Sequence, residues 1–209
     1  MEEVETKGKI LKGSEELFMR YGVRSISMDD IARHLSVSKK TLYQHFADKE
    51  DLVVAVSTAH LEQEQKLYAA LRDSSSNAIE HLAKIAVCMK REMEELNPAL
   101  LFDIQKFHPK AWSIWINFKK TVIKEIIDNL TSGIREGFVR EDVNPEILSI
   151  MRIELVQLAF NEEIFSRTKF KIAEVQTQIF DHFVYGLVTD KGRKLYQKYK
   201  NKSTEQFTP

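Results

Sequence analysis

Only one cysteine, Cys88, occurs in the 209 residues, so no internal disulfide can form and a reducing compartment, the cytoplasm, is expected. Proline and glycine are scarce, at 4 and 7 residues. Both interrupt helix interiors, and their rarity leaves room for long helices. No apolar run approaches the ~18 residues that a membrane span needs, so no membrane partner is expected. The opening MEEVETKGKI is acidic and lacks the apolar stretch of a secretory leader. Net charge is missing too, with 31 basic residues against 31 acidic. That balance leaves local patches open, and phosphate binding depends on patches rather than on totals. The chain also has no HExxH or CxxC metal spacing, no glycine-rich phosphate loop and no nucleophile elbow. No enzyme, cofactor or metal site is therefore expected, and Cys88, inside an apolar helical stretch, reads as an inert buried thiol.

What the chain does contain is helical periodicity almost from end to end. Ile10, Leu11, Leu17, Phe18 and Tyr21 mark one face of a first helix, which Gly22 stops. Ser27, with Asp30 three residues on, forms a capping-box-like start to a second helix carrying Met28, Ile31, Ala32 and Leu35. Ser38 caps a third, with Leu42 and Phe46 as an i, i+4 apolar pair, and Asp48 caps a fourth. The fourth runs to about residue 71, and further helices are predicted to about residues 93 and 107, then over 109–136, 145–165 and 172–189. The predicted class is all-α, about nine helices: a small N-terminal three-helix domain over 1–50, then a larger helical bundle over 51–209. The six basic residues Lys191, Arg193, Lys194, Lys198, Lys200 and Lys202 occur with no acid among them and read as a solvated tail.

Helices two and three, joined by three residues, have the spacing of a helix-turn-helix over 27–46. At about 100° per residue, Leu42 and Phe46 point inward, which turns Lys40, Thr41 and Gln44 outward. Lysine can donate to guanine, glutamine can pair with adenine, and a threonine methyl can meet that of thymine. Lys39 and Tyr43 on one flank and His45 on the other can reach phosphates on the groove walls. Lys49, at the start of the fourth helix, offers a second phosphate seat.

The run YGVRSISMDDIA, then LSVSKKTLYQHF, then DKEDL resembles the DNA-binding domain of TetR-family transcriptional regulators, over about residues 6–60. The resemblance implies a homodimeric repressor that leaves a palindromic double-stranded DNA operator when a small molecule binds its C-terminal bundle. It implies that Lys39, Lys40, Thr41 and Gln44 face bases and that Ser27, Ser38, Tyr43, His45 and Lys49 seat phosphates. One departure is Ser36, where such turns usually carry glycine. If that position requires positive φ, serine costs about 1 kcal/mol there.

In the second half, Phe102, Phe107, Trp112 and Trp115 cluster in one aromatic segment. With Met89, Met93 and Phe160 they are candidates for the wall of a site for a largely apolar inducer, although core packing explains most aromatics. Glu154, Gln157 and Asn161 form a polar stripe that could line that cavity or cross a dimer interface. Ile172, Val175, Ile179, Phe183 and Leu187 on one long helix, and Ile147, Met151, Leu155 and Leu158 on the other, suggest a four-helix dimer seam. Two competing readings remain at this level: a helical enzyme or small-molecule carrier without DNA binding, and a protein-interaction adaptor built on the same three-helix start.

Overall fold

The computed structural model describes residues 2–206. They form ten helices: α1 (Glu2–Tyr21), α2 (Met28–His34), α3 (Lys39–His45), α4 (Lys49–Asp73), α5 (Ala78–Glu95), α6 (Ala99–Phe107), α7 (Pro109–Arg135), α8 (Pro145–Leu158), α9 (Ile172–Leu187) and α10 (Asp190–Gln206). Among the described residues there is no strand, only an isolated bridge between Val139 and Val188. Among the described residues no helix is long and apolar enough to cross a membrane.

By contacts the chain separates into two compact units. The first takes the residues up to Gln65 together with Glu95–Phe118, and the second takes Lys66–Glu94 and the chain from Lys119 onward. Each has its own core. In the first, Ile10, Phe18, Ile31, Leu42, Phe46 and Leu52 are nearly or wholly buried together. In the second, Ile79, Leu130, Phe180, Val184, Leu187 and Tyr196 are.

The predicted caps form. The Ser27 hydroxyl accepts from the Asp30 N–H while the Asp30 carboxylate accepts from the Ser27 N–H, a complete capping box at the start of α2. Ser38 Oγ accepts from the Thr41 N–H at 2.9 Å, and Asp48 Oδ1 accepts from the Asp51 N–H at 2.8 Å. At the other end of α2 the Val37 N–H reaches the Ala32 carbonyl and the Ser36 N–H that of Arg33, the paired bonds of a Schellman stop. That motif needs a left-handed residue at its turn, and Ser36 takes it with φ of 54°.

Two expectations fail. The helix predicted over 145–165 ends at Leu158. Asn161 competes with it: its N–H bonds the Leu158 carbonyl and its Oδ1 accepts from the Glu163 N–H at 2.9 Å, a local turn that a side-chain amide sustains. The helix count is ten rather than about nine because the basic run is α10, not a solvated tail. Its charges conceal an apolar stripe of Leu195, Tyr196 and Tyr199. Tyr196 is fully buried and donates to Asp181 Oδ1 at 2.9 Å, while Lys200 pairs with the other oxygen of that carboxylate. Lys191 lies 4.6 Å over the Phe138 ring. Gly192 is what allows this docking, since a Cβ there would stand 2.1 Å from the Phe138 carbonyl oxygen.

Candidate nucleic-acid interface

The geometry of α3 follows from its two anchors. Leu42 is 0% and Phe46 2% exposed. Burial of each contributes about 1.5–3 kcal/mol and fixes the rotation of the short helix. Lys39, Lys40, Tyr43 and Gln44 are consequently exposed, and Thr41 and His45 half-buried. Lys40 and Gln44 lie one turn apart on the outer face, with a donor and an amide pointing the same way. Such a pair can read base edges, and no comparable cluster of outward hydrogen-bonding groups is needed for folding.

The other candidates differ in how far their polar atoms are already engaged. Lys39 Nζ contacts Asp29 Oδ2 at 2.6 Å, tying α3 to α2 through an exposed ion pair. The Thr41 hydroxyl lies 2.8 Å from that of Ser38. The Ser27 hydroxyl and N–H hold the Asp30 carboxyl below its usual range, with Arg33 adding to the effect. Lys49 departs most from expectation. Its ammonium donates to the Val23 carbonyl at 2.6 Å, and desolvation lowers its pKa against the raising effects of Asp103 and Asp30. Lys49 therefore locks the turn between α1 and α2 in addition to any phosphate it meets.

Sequence reasoning passed over the residues that brace this unit from behind. Buried Asp103 on α6 accepts from the Arg24 N–H at 3.0 Å, and Asn97 Nδ2 donates to the Arg20 carbonyl at 3.1 Å. His108 Nδ1 stands 2.5 Å from Glu50 Oε2 on the first turn of α4. Helix α6 is thus bonded to the loop ahead of α2. Nothing local marks these pairs, because the partners are 58 to 79 residues apart.

The seven candidates for a ligand wall divide between the units. Phe102, Phe107, Trp112 and Trp115 belong to the first; Met89, Met93 and Phe160 belong to the second. Phe102 and Phe107 are 52% and 40% exposed and pair edge to face at 6.3 Å, with Lys106 over both rings. Trp115 packs on Phe118 at 5.9 Å, its Nε1 buried without a partner, and Trp112 is half-buried. Met93 and Phe160 are half-buried, and Met89 is buried in the second core. The polar stripe is largely satisfied within its own unit: Lys119 Nζ donates to Glu154 Oε1 at 2.7 Å and to Gln157 Oε1 at 2.6 Å. Of the apolar stripe assigned to a seam on α9, Val175, Phe183 and Leu187 are core residues, whereas Ile147, Ile150 and Met151 on α8 remain 63%, 52% and 42% exposed.

Among the described residues no group of three or more His, Cys, Asp or Glu side chains could hold a metal ion. Residues 10–56 match the family model described as bacterial regulatory proteins, tetR family. A helix-turn-helix transcriptional regulator of Bacillus subtilis, YvaF, is 26% identical over 79% of this chain and 87% of its own. The transcriptional repressor KstR2 of Mycobacterium tuberculosis is 25% identical over 68% of this chain and 73% of its own. A transcriptional regulator from Saccharomonospora viridis, solved in complex with choline, superposes with a TM-score of 0.74 at 17% identity, covering 89% of this chain and 99% of that one. These relatives are named as regulators of transcription. Residues 10–56 are thus a helix-turn-helix domain of the TetR family of transcriptional regulators, and the ten-helix fold is shared with solved TetR-family regulators.

Proposed function

We propose that the protein is a homodimeric repressor that binds a palindromic DNA operator and leaves it when a small molecule occupies the helical bundle over residues 51–209. The observation that carries this reading is the exposed pair Lys40 and Gln44, held outward by buried Leu42 and Phe46. Residues 1–50 read the DNA and residues 51–209 carry ligand binding and dimerisation. Lys40, Thr41 and Gln44 contact bases. Ser27, Ser38, Lys39, Tyr43, His45 and Lys49 contact or position phosphates, with Lys49 divided between that task and the Val23 carbonyl. Dimerisation uses α8 and α9. Its support is the exposed apolar face of Ile147, Ile150 and Met151, at i, i+3, i+4, which water would otherwise cover unfavourably.

Repression is supported by the naming of KstR2 as a repressor, and ligand response by the choline complex of the S. viridis regulator. Release requires a ligand that prefers a conformation with misplaced recognition helices. The bonds from α6 to the loop ahead of α2 provide a route by which a shift of α6 would disturb the reading head.

The test is selection of bound DNA from a random pool, followed by salt titration. The expected product is a palindrome whose half-site centres lie a whole number of turns apart, each about 10 bp, with affinity falling steeply as salt rises. Failure to enrich any sequence above non-specific binding would reject the reading.

A further inference from the structure

The second unit buries an arginine with no counter-ion. Arg152 on α8 is 4% exposed. Its Nη2 donates to the thioether sulfur of Met89 at 3.0 Å, a weak acceptor, and its Nη1 is buried with no partner. The guanidinium sits 4.9 Å over the Phe180 ring on α9. The titratable groups that act on it are the hydroxyls of Tyr68 and Tyr196, neutral at pH 7. Tyr196 donates elsewhere, to Asp181, which also holds Lys200. Desolvation lowers the Arg152 pKa to about 10, so the side chain still carries its charge at neutral pH. A charge taken out of water normally meets an opposite charge, and here none is supplied by the described residues.

A second unmet group lies close by in the fold. Gln176 on α9 is 0% exposed; its Nε2 donates to the Val156 carbonyl at 2.9 Å, and its Oε1 is buried without a partner. Gln176 is one turn from Phe180 on α9, as Val156 is one turn from Arg152 on α8. The two helices therefore bring the unpartnered Nη1 donor and a free acceptor to neighbouring levels of one layer. Met89 and Phe180 belong to the hydrophobic core of this unit.

We infer that Arg152 is the anchor for a small monocarboxylate ligand with an apolar body, its carboxylate completing the guanidinium fork and its body lying against Met89 and Phe180. This rests on the reading of the bundle over residues 51–209, to which Arg152 belongs, as ligand-binding. A carboxylate matches the planar fork of donors and cancels its single charge. A phosphate dianion would leave one uncompensated negative charge in the same apolar layer, and a cation such as choline would be repelled.

Thermal stability of the full chain, at constant ionic strength, tests this with acetate, hexanoate and benzoate, each against its neutral amide, and with inorganic phosphate and choline as further controls. At least one carboxylate is expected to raise the Tm of the wild type where its amide does not, and phosphate and choline are expected to have no such effect. Arg152→Met, of similar length and uncharged, is expected to be no less stable than the wild type without ligand and to bind the active carboxylate roughly thirtyfold or more weakly by calorimetry. Equal response to carboxylates and amides, equal response of the variant, or a stronger response to phosphate would overturn the inference. So would both Arg152→Met and Arg152→Gln being much less stable than the ligand-free wild type, since Arg152 would then be structural. Arg152→Gln keeps the measurement interpretable if the methionine variant does not fold. DNA affinity is measured on the same samples: carboxylate binding at Arg152 that leaves DNA affinity unchanged preserves the inference and removes the sensor reading, whereas loss of Arg152 dependence with intact ligand-induced release does the reverse.

Discussion

The outer face of α3 and the core of the second unit place their uncommitted hydrogen-bonding side chains in opposite environments. In the first, Lys40, Tyr43 and Gln44 lie in water, where an unmet donor costs nothing until a partner arrives. In the second, Arg152, Gln176, His81 and Asn129 keep polar atoms buried without partners, where each costs free energy as long as it stays unmet. The first arrangement suits a surface that meets a large polyanion and must release it. The second suits an interior that gains stability when something small fills it. The two environments belong to separate hydrophobic cores.

The comparison can be broken most forcefully at the brace behind the reading head. Asp103→Ala leaves the Arg24 N–H without its charged acceptor and is expected to destabilise the protein by about 1.5–3 kcal/mol, read by urea denaturation. A change within experimental error would mean that the bond to α6 holds nothing. On the exposed side, Gln44→Ala is expected to leave stability almost untouched while relaxing sequence choice by about 1–3 kcal/mol at one position of each half-site. Unchanged preferred sites in a selection from random DNA would remove Gln44 from the readers.

The buried side can be sharpened by pH. His81 is 7% exposed, its Nδ1 accepts from Asn129 Nδ2 at 3.0 Å, and desolvation, with Arg72 and Lys84 adding to it, lowers its pKa from 6.5 to about 4. A depressed folded-state pKa means that the unfolded chain takes up the proton first as pH falls. The His81 contribution is therefore complete above about pH 6.5 and declines between there and about pH 4. His81→Gln should flatten that part of the stability profile, and an unaltered slope would count against a neutral buried imidazole. The smallest effect is expected at the turn: Ser36→Gly should stabilise the protein by about 1 kcal/mol by relieving the positive φ, seen as a higher denaturation midpoint with DNA sequence preference unchanged.

Local physics made the first unit legible before any coordinates. Caps, a glycine stop and an i, i+4 apolar pair act within four residues of one another, so Ser27, Ser38, Leu42 and Phe46 could be placed from spacing alone. The strain at Ser36 was expected only through the resemblance to TetR-family turns, which usually carry glycine there. The chain beyond Lys49 was harder. Asn161 ends α8 early through one side-chain bond that periodicity cannot register. The charges of 190–206 outweighed a three-residue stripe that only packing against Asp181 and Phe138 reveals. Arg152 did leave a signal, as the one basic residue in the apolar run ILSIMRIELV, but the neighbouring Glu154 and Gln157 drew the eye instead.

By itself, then, the sequence determined the helical class, the helix-turn-helix and which face of α3 turns outward, because each depends on contacts a few residues apart. Only the tertiary structure decided that Lys49 serves Val23, that Lys119 satisfies the polar stripe of α8, that α9 turns its apolar stripe into its own core, and that Arg152 is buried without a counter-ion. Those outcomes depend on which distant side chain arrives at a given atom, and a linear pattern specifies that a residue is polar without specifying what meets it.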